Sequence, residues 1–308
     1  MGCSKFCASV SALRSVSIYM LALTAVFFSA ARVADAALVY ALTDENDLLS
    51  FDSSDPATQL SGGAITGLDT NDDLIGIDIR PATGALYAVG RFGRIYTINT
   101  TTFAATGGQF VNDGIDSAIA LSGTRFGIDF NPVVDRLRIV SDTEQNLRVN
   151  VDTGATLIDG ALNYSTPTPN PSVVGAAYTN SLAGASATTL YVIDSRNDQL
   201  ALQAPPNAGT LTAVGPLSGT NVSALVGFDI FSDGVNNVGF AALQQIQAGI
   251  SQFFSVNLAT GAVAHIGEIG GGDLIDGLAV VSVPEPATVA LAGFGLAAAL
   301  MVARRRIR

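Results

Sequence analysis

Between Gly76 and Thr106 the chain alternates short apolar runs with tight turns. Gly76-Ile-Asp-Ile79 stops at Pro81-Ala-Thr-Gly84, and Leu86-Tyr-Ala-Val89 stops at Gly90-Arg-Phe-Gly93. Ile95-Tyr-Thr-Ile98 leads through Asn99-Thr-Thr-Thr102 into a weaker run from Phe103 to Phe110. Runs of four to six residues with alternating polar positions, bounded by Gly, Pro and Asn, predict a four-stranded antiparallel meander. One meander leaves both of its faces wet, whereas stacked copies bury them.

Copies are present. A glycine opens a comparable run at Gly76, Gly127, Gly175, Gly227 and Gly277, with successive spacings of 51, 48, 52 and 50 residues. Second strands recur in phase at Leu86-Tyr-Ala-Val89, Leu137-Arg-Ile-Val140, Leu190-Tyr-Val-Ile193 and Val238-Gly-Phe-Ala-Ala242. Third strands follow at Ile95, Leu147, Leu200 and Phe253. A period near 50 residues is the size of a propeller blade with generous loops. At the front, Leu38-Val-Tyr-Ala-Leu42 and Leu48-Leu-Ser-Phe51 match second and third strands with no innermost strand before them. At the back, Gly277-Leu-Ala-Val-Val281 is an innermost strand with no blade after it. Joining the two completes a blade and removes open sheet edges. The expectation is an all-β, five-bladed β-propeller of four-stranded antiparallel blades over residues 37–282, closed by pairing the N- and C-terminal strands.

The ends follow other rules. Over residues 1–36, Lys5 and Arg14 precede an apolar run from Val16 to Ala30, and Ala34-Asp35-Ala36 supplies the small residues of a signal peptidase site, with cleavage expected between Ala36 and Ala37. Both cysteines, Cys3 and Cys7, fall in that segment, which excludes a disulfide framework or a thiolate metal site from the mature chain. Residues 283–308 read as a rigid spacer, Val283-Pro284-Glu285-Pro286, then an apolar run over 287–303, then Arg304, Arg305, Arg306 and Arg308. At 1.5 Å per residue the apolar run is about 25 Å long, enough for a transmembrane helix. The arginines hold the tail in the cytoplasm, so the expected precursor is anchored in the inner membrane with its body facing the periplasm.

Composition changes the picture in one respect. Of 308 residues, 48% are hydrophobic and 13% charged, as in a folded chain. The body over 37–282 has eight arginines, no lysine and 24 acidic residues, a formal charge of −16. Such a body repels nucleic acid, which is excluded as a partner.

The order Pro-Glu-Pro, Gly/Ala/Leu-rich helix, arginine cluster resembles the PEP-CTERM sorting signal of Gram-negative, biofilm-forming bacteria. That resemblance implies recognition by an exosortase, removal of the tail, and delivery to the cell surface or extracellular matrix. The stretch Gly127-Ile-Asp-Phe-Asn-Pro-Val-Val-Asp-Arg-Leu-Arg-Ile-Val-Ser-Asp142, continuing through Asn146-Leu-Arg148 to Asp159-Gly-Ala-Leu-Asn-Tyr164, resembles the domain family DUF4394, a likeness that runs over most of residues 38–281. The family supports the fold and implies no activity.

Candidate chemistry is sparse. The third position of the innermost strand is aspartate at Asp78, Asp129 and Asp229 and alanine at Ala177 and Ala279. One reading is a ring of carboxylates at the central channel holding a cation or polar ligand; the other is that each aspartate accepts bonds from a neighbouring blade's N–H or arginine. Arg136 and Arg138 share a strand face, suited either to an anionic sugar or phosphate or to pairing with Asp135, Asp142 and Glu144. The acidic turns at 44–47, 69–73 and 112–116 carry oxygen ligands of the kind Ca²⁺ accepts but match no EF-hand spacing. His265 is the single histidine, with Glu268 three residues on, and no nucleophile elbow or P-loop is present. The expected function is therefore an exported, non-enzymatic binding or structural module for polysaccharide or surface proteins, with no cofactor and no metal. The alternative is an extracytoplasmic calcium-dependent hydrolase, lactonase or lyase.

Overall fold

The computed structural model describes residues 36–282, apart from 116, 166–169, 219 and 246–248. The chain divides into two compact units, Met1–Asp35 and Ala36–Arg308, and every described residue belongs to the second. The expected signal peptide up to residue 35, and the expected spacer, helix and basic stop over 283–308, lie outside the described residues. Among the described residues no helix is long and apolar enough to cross a membrane.

In chain order the strands are β1 (Leu38–Thr43), β2 (Asp47–Asp52), β3 (Asp55–Ala64), β4 (Leu74–Ile79), β5 (Leu86–Gly90), β6 (Arg94–Ile98), β7 (Ala105–Phe110), β8 (Phe126–Asn131), β9 (Arg136–Ser141), β10 (Asn146–Val149) and β11 (Thr156–Ile158). They continue as β12 (Asn163–Tyr164), β13 (Val173–Tyr178), β14 (Leu190–Asp194), β15 (Gln199–Gln203), β16 (Thr210–Pro216), β17 (Val222–Ser232), β18 (Asn237–Gln245), β19 (Ser251–Val256), β20 (Val263–Glu268) and β21 (Ile275–Val280). These form five sheets, and β4, β8, β13, β17 and β21 are the innermost strands, as the glycine spacing predicts. Blade 1 is β21-β1-β2-β3, and blades 2 to 5 begin at β4, β8, β13 and β17.

Burial follows distance from the axis. All six residues of β13 are buried, because an innermost strand has neighbours on both faces, while β7 at the rim is exposed from Thr106 onwards. An innermost strand therefore reads as a continuous apolar run and a rim strand as a polar one. The apolar side chains collect in five clusters between successive blades. Phe51 of blade 1 meets Phe253 of blade 5 edge-on at 5.1 Å, and Tyr87 of blade 2 meets Phe130 of blade 3 at 5.3 Å.

Closure is by β1 and β21, which pair antiparallel with Val39 opposite Val280 and Leu42 opposite Gly277. The junction is held at its end by Val281 N–H on the Leu38 carbonyl at 2.9 Å and by Ala37 N–H on Ser53 Oγ at 2.9 Å. Blade 4 departs from the expected four strands: Asn163–Tyr164 add as a fifth, parallel to β16, and the Tyr164 hydroxyl donates to Asp194 Oδ2 at 2.8 Å. That strap binds the connection from blade 3 to the rim of blade 4.

The opening glycines are required by close approach. A Cβ at Gly127 would lie 2.5 Å from the Ala176 backbone nitrogen, and one at Gly175 would lie 2.9 Å from Phe228 Cβ. Innermost strands thus cross their neighbours closely, against backbone at Gly127 and against the first side-chain carbon at Gly175. The space left among the glycines holds about one water molecule, so the axis is packed and is no open channel.

Candidate functional site

The axial site is built by strand register. Counted from the opening glycine of each innermost strand, residues one and three face the axis, so the third residues Asp78, Asp129 and Asp229 converge there while Ala177 and Ala279 complete the ring. All three carboxylates are buried, and one oxygen of each lies within 4.8 Å of the others. Among the described residues they are the one group of acidic side chains close enough together to hold a cation.

Five backbone N–H groups, one from the fourth residue of each innermost strand, meet these three carboxylates. Asp78 Oδ2 accepts from Phe130 at 2.6 Å, Asp129 Oδ1 from Tyr178 at 3.1 Å, and Asp229 Oδ2 from Val280 at 2.5 Å. In each case the aspartate serves the following blade. Blades 4 and 1 carry alanine and can offer nothing to the blade after them. There the N–H falls to its own neighbour: Ile230 donates to Asp229 Oδ1 and Ile79 to Asp78 Oδ1, both at 2.6 Å. Three carboxylates therefore satisfy all five donors.

Burial pushes the Asp78 and Asp129 carboxyls well above the usual carboxylate range, and the negative charges of their neighbours push further, against the N–H bonds. Asp229 is pushed up to about 6 by burial, with its bonds from Val280, Ile230 and Asp129 opposing. Three buried carboxyl groups whose oxygens lie within 4.8 Å of one another cannot all carry charge, so the cluster favours protonated forms. A Ca²⁺ ion takes six to eight oxygens, and most oxygens here already accept N–H bonds whose positive ends point inward. The chemistry the cluster does best is to hold protons and tie blades together.

A second polar group lies where the innermost strands begin. The residues just before the five glycines are Ile75, Phe126, Val174, Val226 and Asp276, one carboxylate in an apolar ring. Arg125 of blade 3 reaches across to Asp276 with bonds of 2.7 and 3.0 Å. Burial raises the Asp276 carboxyl, and Arg125 opposes that rise. Arg91, in the turn after β5, adds its guanidinium to the rim and bonds the Thr124 carbonyl at 3.4 Å. These groups surround a shallow depression with room for about one or two water molecules.

The arginines expected to act together are separated. Arg136 donates to the carbonyls of Val134 and Asp135. Arg138 is buried and bonds Asp159 Oδ2 at 2.6 Å, Asn146 Oδ1 at 2.8 Å and Asn207 Oδ1 at 2.8 Å. The expected pairing with Asp142 and Glu144 is therefore corrected: Asp142 is taken by Thr124, and Asp159, eleven residues beyond Arg148, bonds both Arg138 and Arg148. Asp135 is held, with Asp152, by Arg80, whose guanidinium makes four bonds of 2.6 to 2.8 Å from blade 2 to blade 3. Two of the acidic turns have carboxylates bonded within the fold. Asp72 accepts from the Tyr96 hydroxyl at 2.8 Å, and Asp113 accepts from Ile115 and Ser117, which holds it below the usual carboxylate range. Asp116 lies outside the described residues. His265 is exposed on β20 and meets Phe254 edge-on at 5.2 Å.

Sequence reasoning missed Asp276 and Arg125. Their separation of 151 residues hides the pair, but Asp276 is the one charged residue at a position that is apolar in the other four blades, which is a readable signal.

A family model described as "Domain of unknown function (DUF4394)" matches residues 47–279, and one for the PEP-CTERM protein-sorting motif matches residues 282–306. No curated protein matches the chain. Among solved structures the chain is similar to a structural genomics protein of unknown function from Bacteroides thetaiotaomicron, with 13% identity and a TM-score of 0.45 over 78% of this chain and 64% of that one. It thus spans 64% of that protein's length. It is also similar to a chain of a nidogen/laminin complex, with 12% identity and a TM-score of 0.44 over 80% of this chain and 99% of that one.

Proposed function

The chain belongs to the DUF4394 family and carries a PEP-CTERM sorting motif, and on that premise we propose that this exosortase-sorted extracellular propeller is a non-enzymatic binding module, presenting one end face to matrix polysaccharide or surface proteins. The observation that carries the reading is the position of the two ends. Leu38 and Val281 are hydrogen-bonded neighbours at the end of the axis where innermost strands finish. Leader and tail therefore both attach at that end, and the opposite face, with Arg91, Arg125 and Asp276, stays free. The buried aspartates fit this role, since each serves ring closure.

The inner-membrane precursor is part of the proposal. Changing Pro284, Glu285 and Pro286 to alanine should hold the chain in the membrane fraction; unaltered release to the surface would overturn the sorting step. For binding, the body is free of cysteine, so single cysteines carrying a polyethylene glycol block either face. Blocking at Glu45 on the free face should abolish retention by matrix material and blocking at Ala82 should not. Equal retention with either block would overturn the presented face.

A second reading, calcium-dependent hydrolysis, rests on the three converging carboxylates. Stoichiometric calcium in the purified protein, with a raised melting temperature, would replace the first reading by this one.

A further inference from the structure

The two end faces differ in chemistry. The face where innermost strands begin carries Asp44, Glu45, Asp69, Asp73, Asp142 and Glu144 in its turns and connections. On the opposite face, where both ends attach, Arg80 pairs with both Asp135 and Asp152, and Asp233 is bonded into its own turn by Val235 and Asn236. Three turns there are apolar or small, Pro132-Val133-Val134, the segment from Ser181 to Ala187, and Gly234-Val235, while the turn between β2 and β3 carries Asp52 and Asp55. Val133, Val134 and Val235 are 42%, 50% and 73% exposed. They lie on blades 3 and 5, and Leu182 of the blade 4 loop reaches within 3.6 Å of a Cβ built at Gly234, which makes the apolar turns an arc across three blades.

We propose that this end face is a lipid-contact surface, resting on the bilayer while the precursor is anchored. The inference rests on the anchored precursor of the preceding section and adds a docking face to it. Chain length supplies the occupant. After Ser282 four residues, Val283 to Pro286, precede the apolar run over 287–303. Fully extended they span at most about 14 Å. Ser282 itself is tied to blade 5, its Oγ accepting from Ser232 N–H at 2.9 Å, so the tether cannot lengthen by peeling β21 without breaking the ring. A propeller on so short a tether has its attachment face at the headgroups. A contiguous exposed apolar patch marks a protein or membrane contact site. The acidic turns on the far side stand away from anionic headgroups, beyond a screening length of about 8 Å.

The test uses the full-length chain with Cys3 and Cys7 changed to serine, reconstituted in phosphatidylethanolamine/phosphatidylglycerol vesicles. Single cysteines at Val134, Val235 or Glu45 carry an environment-sensitive fluorophore. Flotation with the vesicles is measured first, and failure to float removes the anchored precursor itself, a result separate from the docking face. With the protein floated, lipid-borne nitroxide should quench the labels at 134 and 235 and leave the label at 45 bright. Equal quenching at both faces, or none at 134 and 235, overturns the proposal. Shielding of 134 and 235 from an aqueous quencher without lipid quenching also overturns it, because a protein then covers the face.

Discussion

Asp229 Oδ2 accepts the backbone N–H of Val280 at 2.5 Å, and this bond joins the last complete blade to the strand that closes the ring. The other oxygen of the same carboxylate holds Ile230, so one side chain satisfies two donors from adjacent blades in a site without solvent. Stability of the closure is thereby coupled to the state of a single acidic group.

Replacing Asp229 by alanine leaves both N–H groups buried and without an acceptor. At about 1 to 3 kcal/mol for each unsatisfied donor, the loss is about 2 to 6 kcal/mol. Asp229→Asn keeps one carbonyl acceptor and should lose about half as much. Denaturant midpoints of the two variants check the order, and an alanine variant as stable as the parent would show that the bonds carry nothing.

Folded Asp78, Asp129 and Asp229 bind protons more tightly than the unfolded chain does, Asp229 at about 6 against an ordinary 3.8. Their contribution is therefore fully present below the unfolded value and is lost as pH rises through the folded one. Asp113 and Asp152, held low by backbone bonds and by Arg80 respectively, act oppositely and lose their contribution as pH falls below 3.8. Melting temperature should therefore decline between about pH 4 and pH 6, with a flatter profile in Asp229→Asn. A steady rise over that interval would contradict the buried protons.

Gly127→Ala places a methyl 2.5 Å from the backbone of the next blade, where neither strand can yield without shifting the axis. The expected loss is about 3 kcal/mol. Gly84→Ala is the control: nothing lies within 4 Å, and a φ of +71° costs about 1 kcal/mol. Equal losses in urea titrations would mean that the axis is looser than its distances.

Arg138→Met removes the closer of the two arginines on buried Asp159, leaving Arg148 at 3.2 Å, and leaves Asn146 and Asn207 short of a donor. Loss of one member of a buried pair costs about 3 to 5 kcal/mol. Asp159→Asn in the same chain should recover part of that loss. The deficit should persist in 1 M salt, because a buried pair is screened far less than a surface pair. A deficit that salt erases would place the pair at the surface.

Much of the fold is legible in the sequence because each blade repeats one local pattern. Gly76, Gly127, Gly175, Gly227 and Gly277 mark close crossings where an added Cβ would lie 2.5 to 3.2 Å from the next blade, so the register survives where other positions drift. The closing blade is legible for the same reason: Leu38–Thr43 and Ile275–Val280 each lack what the other supplies. The strap at Asn163–Tyr164 is not legible, since two residues have no periodicity. Asp159 as the partner of Arg138 is hidden too, because residues nearer in sequence carry the same charge.

Local alternation and a period near 50 residues suffice for five blades, their order and their closure, because strand formation and stacking act on short-range pattern. The PEP-CTERM motif is likewise read residue by residue. The meaning of Asp78, Asp129 and Asp229 comes from folding alone. Three carboxylates about 50 residues apart become one proton-holding group when the ring brings their oxygens within 4.8 Å and turns five N–H groups upon them. The polarity of the end faces has the same origin, because only ring closure decides which turns share an end with the two termini.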